Sequence, residues 1–217
     1  MTILSDIDGV IRKLYDALYK SYQDDMIYNE YVAYAKSQTP QENTPMSYEE
    51  FLNIIYNPDK QSNVDLITSL IEKHPEVYAI ARADEKIIWV YNELISSNMV
   101  NHIVFVTTYI NDHIANATQW WLHKHLKMSP DKWHALHCRD GKTKKILPED
   151  VIKSDEVFII VEDLENIGND MAKQITEYHR LAKVIVVNDK ISSMAIEIIR
   201  TALELYKVQY GHEFGRN

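Results

Sequence analysis

Five short apolar runs constrain the fold of this chain more than any other feature: Thr2–Ser5, Ile103–Thr107, His134–Cys138, Val157–Val161 and Lys183–Val187. They are rich in β-forming residues, and several are almost continuously hydrophobic, as parallel strands covered on both faces must be. Apolar residues recur at helical spacing over Tyr109–Lys127, Asn169–Leu181 and Ser192–Tyr206. Strands alternating with helices predict an α/β fold with a Rossmann-like parallel sheet and right-handed crossovers.

The first two strands break this rhythm. About ninety residues separate them, far more than a strand–helix–strand crossover requires. Residues 12–36 read as one long helix dense in tyrosine, followed by a Pro/Thr/Asn/Gln loop at Thr39–Pro45. Ser47 and Glu50 form a capping-box pattern before a short helix. Asn57–Asn63 is a second break, Val64–Lys73 another helix, and His74-Pro75 its end. Asp84–Asn98 reads as the helix that returns the chain to the sheet. The expected organisation is therefore a core of residues 1–11 and 84–217, with a helical insertion over 12–83.

Composition excludes several classes. A net charge of −9 argues against general nucleic-acid binding, which needs a basic face. It leaves room for a small phosphorylated partner, because a metal and a few local cations outweigh the global field. One cysteine, Cys138, allows no intrachain disulfide and suits a reducing cytoplasm. No apolar run has the length of a membrane span, and the N-terminus carries no signal-peptide pattern. A soluble cytoplasmic protein is the expectation; oligomeric state is not legible.

Chemistry collects at the strand ends. Asp6 and Asp8 follow the first strand, on one face by the two-residue alternation of a strand, and Gly9 permits an immediate sharp turn. Paired carboxylates there suit a hard divalent cation with a phosphate beside it. A calcium-loop reading fails, because Val10, Arg12 and Leu14 stand where further oxygen ligands are needed. The second strand ends in Thr107-Thr108, two hydroxyls. Arg139-Asp140-Gly141-Lys142-Thr143-Lys144-Lys145 follows the third, and Glu162-Asp163 abuts the fourth. Neighbouring carboxylates after five apolar residues repel unless a cation intervenes.

Asp6-Ile7-Asp8-Gly9-Val10 resembles the first motif of the haloacid-dehalogenase-like phosphohydrolases. Thr107, Lys142 and Glu162-Asp163 resemble the later three motifs, in order and each at a strand end. The Arg139–Thr143 segment resembles that of the 5′(3′)-deoxyribonucleotidases, with Gly141 inserted, so Lys142 is the matched lysine and Lys144 and Lys145 remain alternatives. The resemblance covers about 1–11 and 100–190. It implies a haloacid-dehalogenase-like core with an inserted helical cap that selects substrate. It also implies that Asp6 attacks phosphorus and Asp8 serves as general acid and then base. By the same resemblance, Thr107 and Lys142 are expected to hold the phosphoryl oxygens, with Gly9 and Thr108 as further phosphate contacts, and Mg2+ is expected to be held by Asp6, the Asp8 backbone carbonyl, Asp163, and Glu162 directly or through water. Family ATPases carry Thr where Asp8 stands and the dehalogenase branch lacks this second Asp, so a phosphatase is implied.

The insertion holds Tyr15, Tyr19, Tyr22, Tyr28, Tyr31, Tyr34, Tyr48 and Tyr56. These serve as the core of a small bundle or as stacking partners for a flat substrate. Together with the Arg139–Thr143 segment they favour a nucleoside monophosphate over other small phosphomonoesters. Sugar phosphates, nucleic-acid 3′ ends and an inactive binding module are the alternatives. His123, His125, His134, His137 and Cys138 invite a zinc reading. Their spacing scatters them over different faces, so they read as surface and core residues. Trp120-Trp121 is expected to pack against the sheet; Asp170 and Asp189 read as a helix-start charge and a loop cap.

Overall fold

The computed structural model describes residues 1–37, 44–56, 61–108, 111–138, 146–187 and 194–210; the side chains of 34–37, 61–64, 108, 137 and 138 lie outside that description. The chain divides into two compact units, Met1–Arg12 with Ala83–Asn217, and Lys13–Arg82.

The first unit is built on five parallel strands: β1 (Thr2–Ser5), β2 (His102–Thr108), β3 (Trp133–Cys138), β4 (Val157–Glu162) and β5 (Leu181–Val186). Their order across the sheet is β3-β2-β1-β4-β5, so the α/β Rossmann-like expectation holds. Alternation sorts the strand side chains between two buried layers. Ile3, Ile103, Phe105, Ile159 and Val161 join one cluster with residues of α5 (Glu85–Ser96), α6 (Asp112–His125) and α9 (Met194–Tyr210). Leu4, Val104, Val106, Phe158 and Ile160 join the other with α7 (Glu149–Lys153) and α8 (Glu165–Glu177). Both faces of the central strands are thus dry, which is why they read as uninterrupted apolar runs.

Helix ends follow their capping chemistry. Asp84 accepts hydrogen bonds from the backbone N–H of Lys86 and Ile87 at 3.1 and 3.2 Å, capping α5. Asn98, at a φ of 58°, follows α5. Asn111 caps α6 through Ile114 N–H at 3.0 Å. Leu181 opens β5, although the sequence pattern places it at the end of a helix. Trp121 is fully buried as expected, but Trp120 is half exposed, with the Lys124 ammonium 4.8 Å from its ring centre.

The second unit contains α1 (Leu14–Ser37), α2 (Tyr48–Tyr56), α3 (Gln61–Lys73) and α4 (Val77–Ile80). The capping box is present: Ser47 N–H donates to Glu50 Oε2 at 2.7 Å, and Glu50 N–H to Ser47 Oγ at 3.2 Å. Tyr19 packs on Tyr22, Tyr48 and Phe51, with ring centres 5.1–6.2 Å apart. The Tyr19 hydroxyl donates to Met46 O at 3.0 Å, and Tyr15 meets Tyr56 edge-on. Tyr19 and Tyr22 are half-buried against the fully buried Phe51, whereas Tyr28, Tyr31 and, to a lesser degree, Tyr48 are exposed; the side chain of Tyr34 lies outside the described residues.

Asp25 of α1 ties this unit together by accepting from Lys73 Nζ at 2.6 Å and His74 Nε2 at 3.0 Å. The hydrogen bond to Asp25 raises the His74 pKa. Burial pushes the Asp25 carboxyl up, but Lys73 and His74 outweigh it and hold it below the usual range. A raised histidine pKa adds stability that is complete below the unfolded value of about 6.5 and lost as pH rises through the folded value. His74→Gln should therefore lower stability by about 0.5–1 kcal/mol near pH 5.5 and by much less at pH 8.5. Thermal unfolding of both proteins at the two pH values checks this; an equal loss at both would contradict a charged His74.

Candidate functional site

The register of the sheet sets the site. Ser5 lies beside Phe105 of β2 and Val161 of β4, so the next residue, Asp6, stands level with Val106 and Glu162. Asp6 N–H donates to Val161 O at 2.9 Å, continuing the ladder one step beyond β1. Glu162 closes β4 and is fully buried; Asp163 follows, also buried. One carboxylate oxygen from each of Asp6, Glu162 and Asp163 lies within 4.8 Å of the others.

Three buried carboxylates form a hard, all-oxygen donor set. Such a set suits magnesium or calcium, whereas zinc and copper take imidazole and thiolate. Magnesium holds its oxygens at about 2.1 Å, so opposite ligands stand about 4.2 Å apart. Oxygens within 4.8 Å of one another lie near enough to share one such cation, and the donor chemistry of the residues fits it.

Behind Asp6 runs a buried relay. The Tyr91 hydroxyl of α5 donates to Ser5 Oγ at 2.9 Å, and Ser5 Oγ donates to Asp6 O at 2.7 Å. Burial pushes the Tyr91 phenol well above its ordinary pKa, so it remains a donor throughout the physiological range. The relay holds the backbone at Asp6 while its carboxylate meets the other two.

After Asp6 the chain turns at once. Gly9 has a φ of 80°, which an L side chain adopts only with strain. Its N–H donates to Arg12 O at 3.0 Å, and the N–H groups of Ile11 and Arg12 both reach Ile7 O, at 3.0 and 2.8 Å. This turn brings Arg12 to Asp8: Nε lies 2.6 Å from Oδ1 and Nη2 3.0 Å from Oδ2. The Asp8 carboxylate faces this guanidinium and is not one of the three clustered acids.

Thr107 is buried at the penultimate position of β2, and Thr108 ends the strand. Arg139, Asp140, Gly141, Lys142, Thr143, Lys144 and Lys145 lie outside the described residues, as does Asp189. Asp170 is exposed within α8, six residues into the helix rather than at its start. The histidines scatter. His123 meets Trp133 edge-on and His125 lies against Trp121, while His134 Nδ1 pairs with His102 Nε2 at 2.7 Å.

Two residues with roles here escape sequence reasoning. Arg12 has a signal only in its i+4 spacing from Asp8. Gly168 lies on α8, where an added Cβ would meet Val184 Cγ1 at 2.8 Å and Glu162 Cβ at 3.5 Å. It lets α8 approach the sheet directly behind Glu162.

The sequence matches no protein-family profile and none of the curated proteins. Among solved structures, the chain is similar to a hydrolase from Streptococcus pneumoniae TIGR4. That likeness has 10% identity, 94% coverage of this chain and 97% of that one, and a TM-score of 0.50. It establishes the shared fold. A weaker likeness, 12% identical with a TM-score of 0.47, links 84% of the chain to 82% of Protein Tyrosine Kinase A (PtkA) from Mycobacterium tuberculosis.

Gly168→Ala should force Val184 away from α8. The expected loss is about 1–3 kcal/mol from overpacking, against a gain in helix propensity of at most about 1 kcal/mol. Chemical denaturation measures the net; a stabilised protein would contradict the close approach.

Proposed function

We propose that this protein is a magnesium-dependent phosphatase of the haloacid-dehalogenase-like type, working through an aspartyl-phosphate on Asp6. Its substrate is a nucleoside monophosphate or another small phosphomonoester. The observation that carries the reading is the convergence of buried Asp6, Glu162 and Asp163 at the carboxyl edge of a parallel sheet, where α/β folds bind ligands.

Asp6 and Asp163 would hold the cation, with the Asp8 backbone carbonyl, and Glu162 directly or through water. Bound magnesium supplies screening between the anionic nucleophile and the anionic phosphate. In the first step Asp6 forms a bond to phosphorus, the bond to the leaving oxygen breaks, and Asp8 gives that oxygen a proton. In the second, water attacks the phosphoryl group, Asp8 takes the proton, and the Asp6 carboxylate is restored with release of phosphate. Thr107 and Thr108 hold phosphoryl oxygens, and Lys142 balances their charge as it shifts in transfer. Gly9 keeps the backbone next to the phosphate clear of side-chain atoms.

The helical unit Lys13–Arg82 is assigned the role of substrate-selecting cap. Its Tyr19, Tyr22 and Tyr48 pack among themselves and Phe51, so the nucleotide preference rests on the Arg139–Thr143 segment. No helix among the described residues is long and apolar enough to cross a membrane. A cytoplasmic setting completes the reading.

A phosphate-release screen with magnesium over nucleoside monophosphates, sugar phosphates and 3′-phosphorylated oligonucleotides tests this. Release should be abolished by Asp6→Asn and by chelator. No release from any substrate by the folded, metal-binding protein would sink the phosphatase reading; preference for a sugar phosphate would sink only the nucleotide assignment. Lys142→Ala should reduce kcat/KM by about 100-fold or more, as loss of a charge-stabilising group does. Lys144→Ala and Lys145→Ala should cost far less, and the reverse order would move the role to the other lysine.

A further inference from the structure

Arg12 is a fully buried charge held by specific partners. Arginine is almost never fully buried unless paired, yet Arg12 has 0% exposure. Its guanidinium grips both oxygens of Asp8, through Nε at 2.6 Å and Nη2 at 3.0 Å. On its other side Nη1 donates to Thr118 Oγ1 at 3.1 Å, and Cζ lies 5.5 Å from the centre of the Trp121 ring. Thr118 and Trp121 are neighbours on α6 and are themselves buried. The backbone of Arg12 is pinned as well, through Ile7 O and Gly9 N–H, and Arg12 forms an isolated antiparallel bridge with Ala83, just before α5. Asp8, Thr118, Trp121 and Ala83 all belong to the unit that carries Asp6, Glu162 and Asp163.

We propose that Arg12 is a positioning residue, which sets the orientation of the Asp8 carboxylate for proton transfer to and from the reacting oxygen. The proposal rests on the phosphatase reading and adds to it a residue outside the four motifs. A planar two-point grip fixes a carboxylate in direction as well as place, which a single ammonium cannot do. Each carboxylate oxygen has two lone-pair directions. The fork uses one on each oxygen and leaves the other available to the leaving group and then to water. Asp8 itself keeps a side-chain accessibility of 16%. Misplacement of a proton donor by about 1 Å is enough to cost on the order of 100-fold in rate. The turn at Gly9, the buried arginine and the α6 anchors together form a rigid mount for one carboxylate.

A role exerted through Asp8 has a signature that general loss of stability lacks. Proton donation matters for an alkyl leaving group, and much less for 4-nitrophenolate, which departs without help. The experiment compares kcat/KM for an alkyl phosphate and 4-nitrophenyl phosphate in the unaltered protein and in Arg12→Gln, Arg12→Lys, Thr118→Val, Asp8→Asn and Arg12→Gln with Asp8→Asn. Each variant is assayed below its own unfolding transition.

Arg12→Gln should lose at least about 10-fold more activity on the alkyl than on the aryl substrate, within the range attributed to general acid–base catalysis. Arg12→Lys should behave like Arg12→Gln, and Thr118→Val should show a several-fold loss with the same bias. Adding Arg12→Gln to Asp8→Asn should change little, since the two act as one unit. Equal losses on both substrates, full activity in Arg12→Lys, or additive losses in the double variant would each overturn the proposal while leaving the phosphatase reading in place. Absence of release by the unaltered protein from these two substrates and from every phosphate of the screen above would overturn both. Should Arg12→Gln fail to fold, the leaving-group bias of Thr118→Val decides.

Discussion

The pairing of β1 on both sides, with β2 and with β4, governs everything at this site. β1 has four residues, all buried, and its neighbours run parallel to it in register. A slip of one residue would exchange Ile3 and Leu4 between the two apolar layers and carry Asp6 away from the level of Glu162. The two packed faces therefore enforce the geometry of the acids at the edge. Carboxylates that repel one another are held together by hydrophobic contacts several residues away.

At that edge the structure treats neighbouring acids in different ways. Asp6, Glu162 and Asp163 turn toward a common point, while Asp8, two residues from Asp6, turns to a buried guanidinium. The difference comes from the backbone turn: once Gly9 takes a positive φ, the chain folds back and brings Arg12 within reach of Asp8. A buried ion pair is tolerated only when its geometry is good and its remaining donors are used, and Thr118 and Trp121 contribute to that. The same economy of space appears at Gly168, where the missing Cβ lets α8 settle against Val184 and Glu162.

The central strands were legible because burial on both faces leaves an unmistakable apolar run, and their ends were legible because polar residues stop those runs abruptly. Short elements were not. α4 and α7 have four and five residues, too few to show a helical period. Adjacent tryptophans carry the same chemistry, and only helix rotation buries Trp121 and exposes Trp120. The tyrosines of the insertion suit either a bundle core or a stacking surface; packing against buried Phe51 assigns Tyr19 and Tyr22 to the first. Arg12 was opaque because a lone arginine after a turn normally marks a solvated surface.

Sequence alone determined the order of the strands and the longer helices, the acids and hydroxyls at the strand ends, and the long helical stretch between the first two strands. Those features depend on local periodicity and residue type, which a linear string displays. Tertiary structure decided which acids meet, which one is held apart, and which glycine lets a helix come close. Such relations join residues far apart in the chain: Arg12 with Thr118, Asp6 with Glu162, Gly168 with Val184. They arise from sheet register and side-chain volume, and neither is written in the spacing of any single segment.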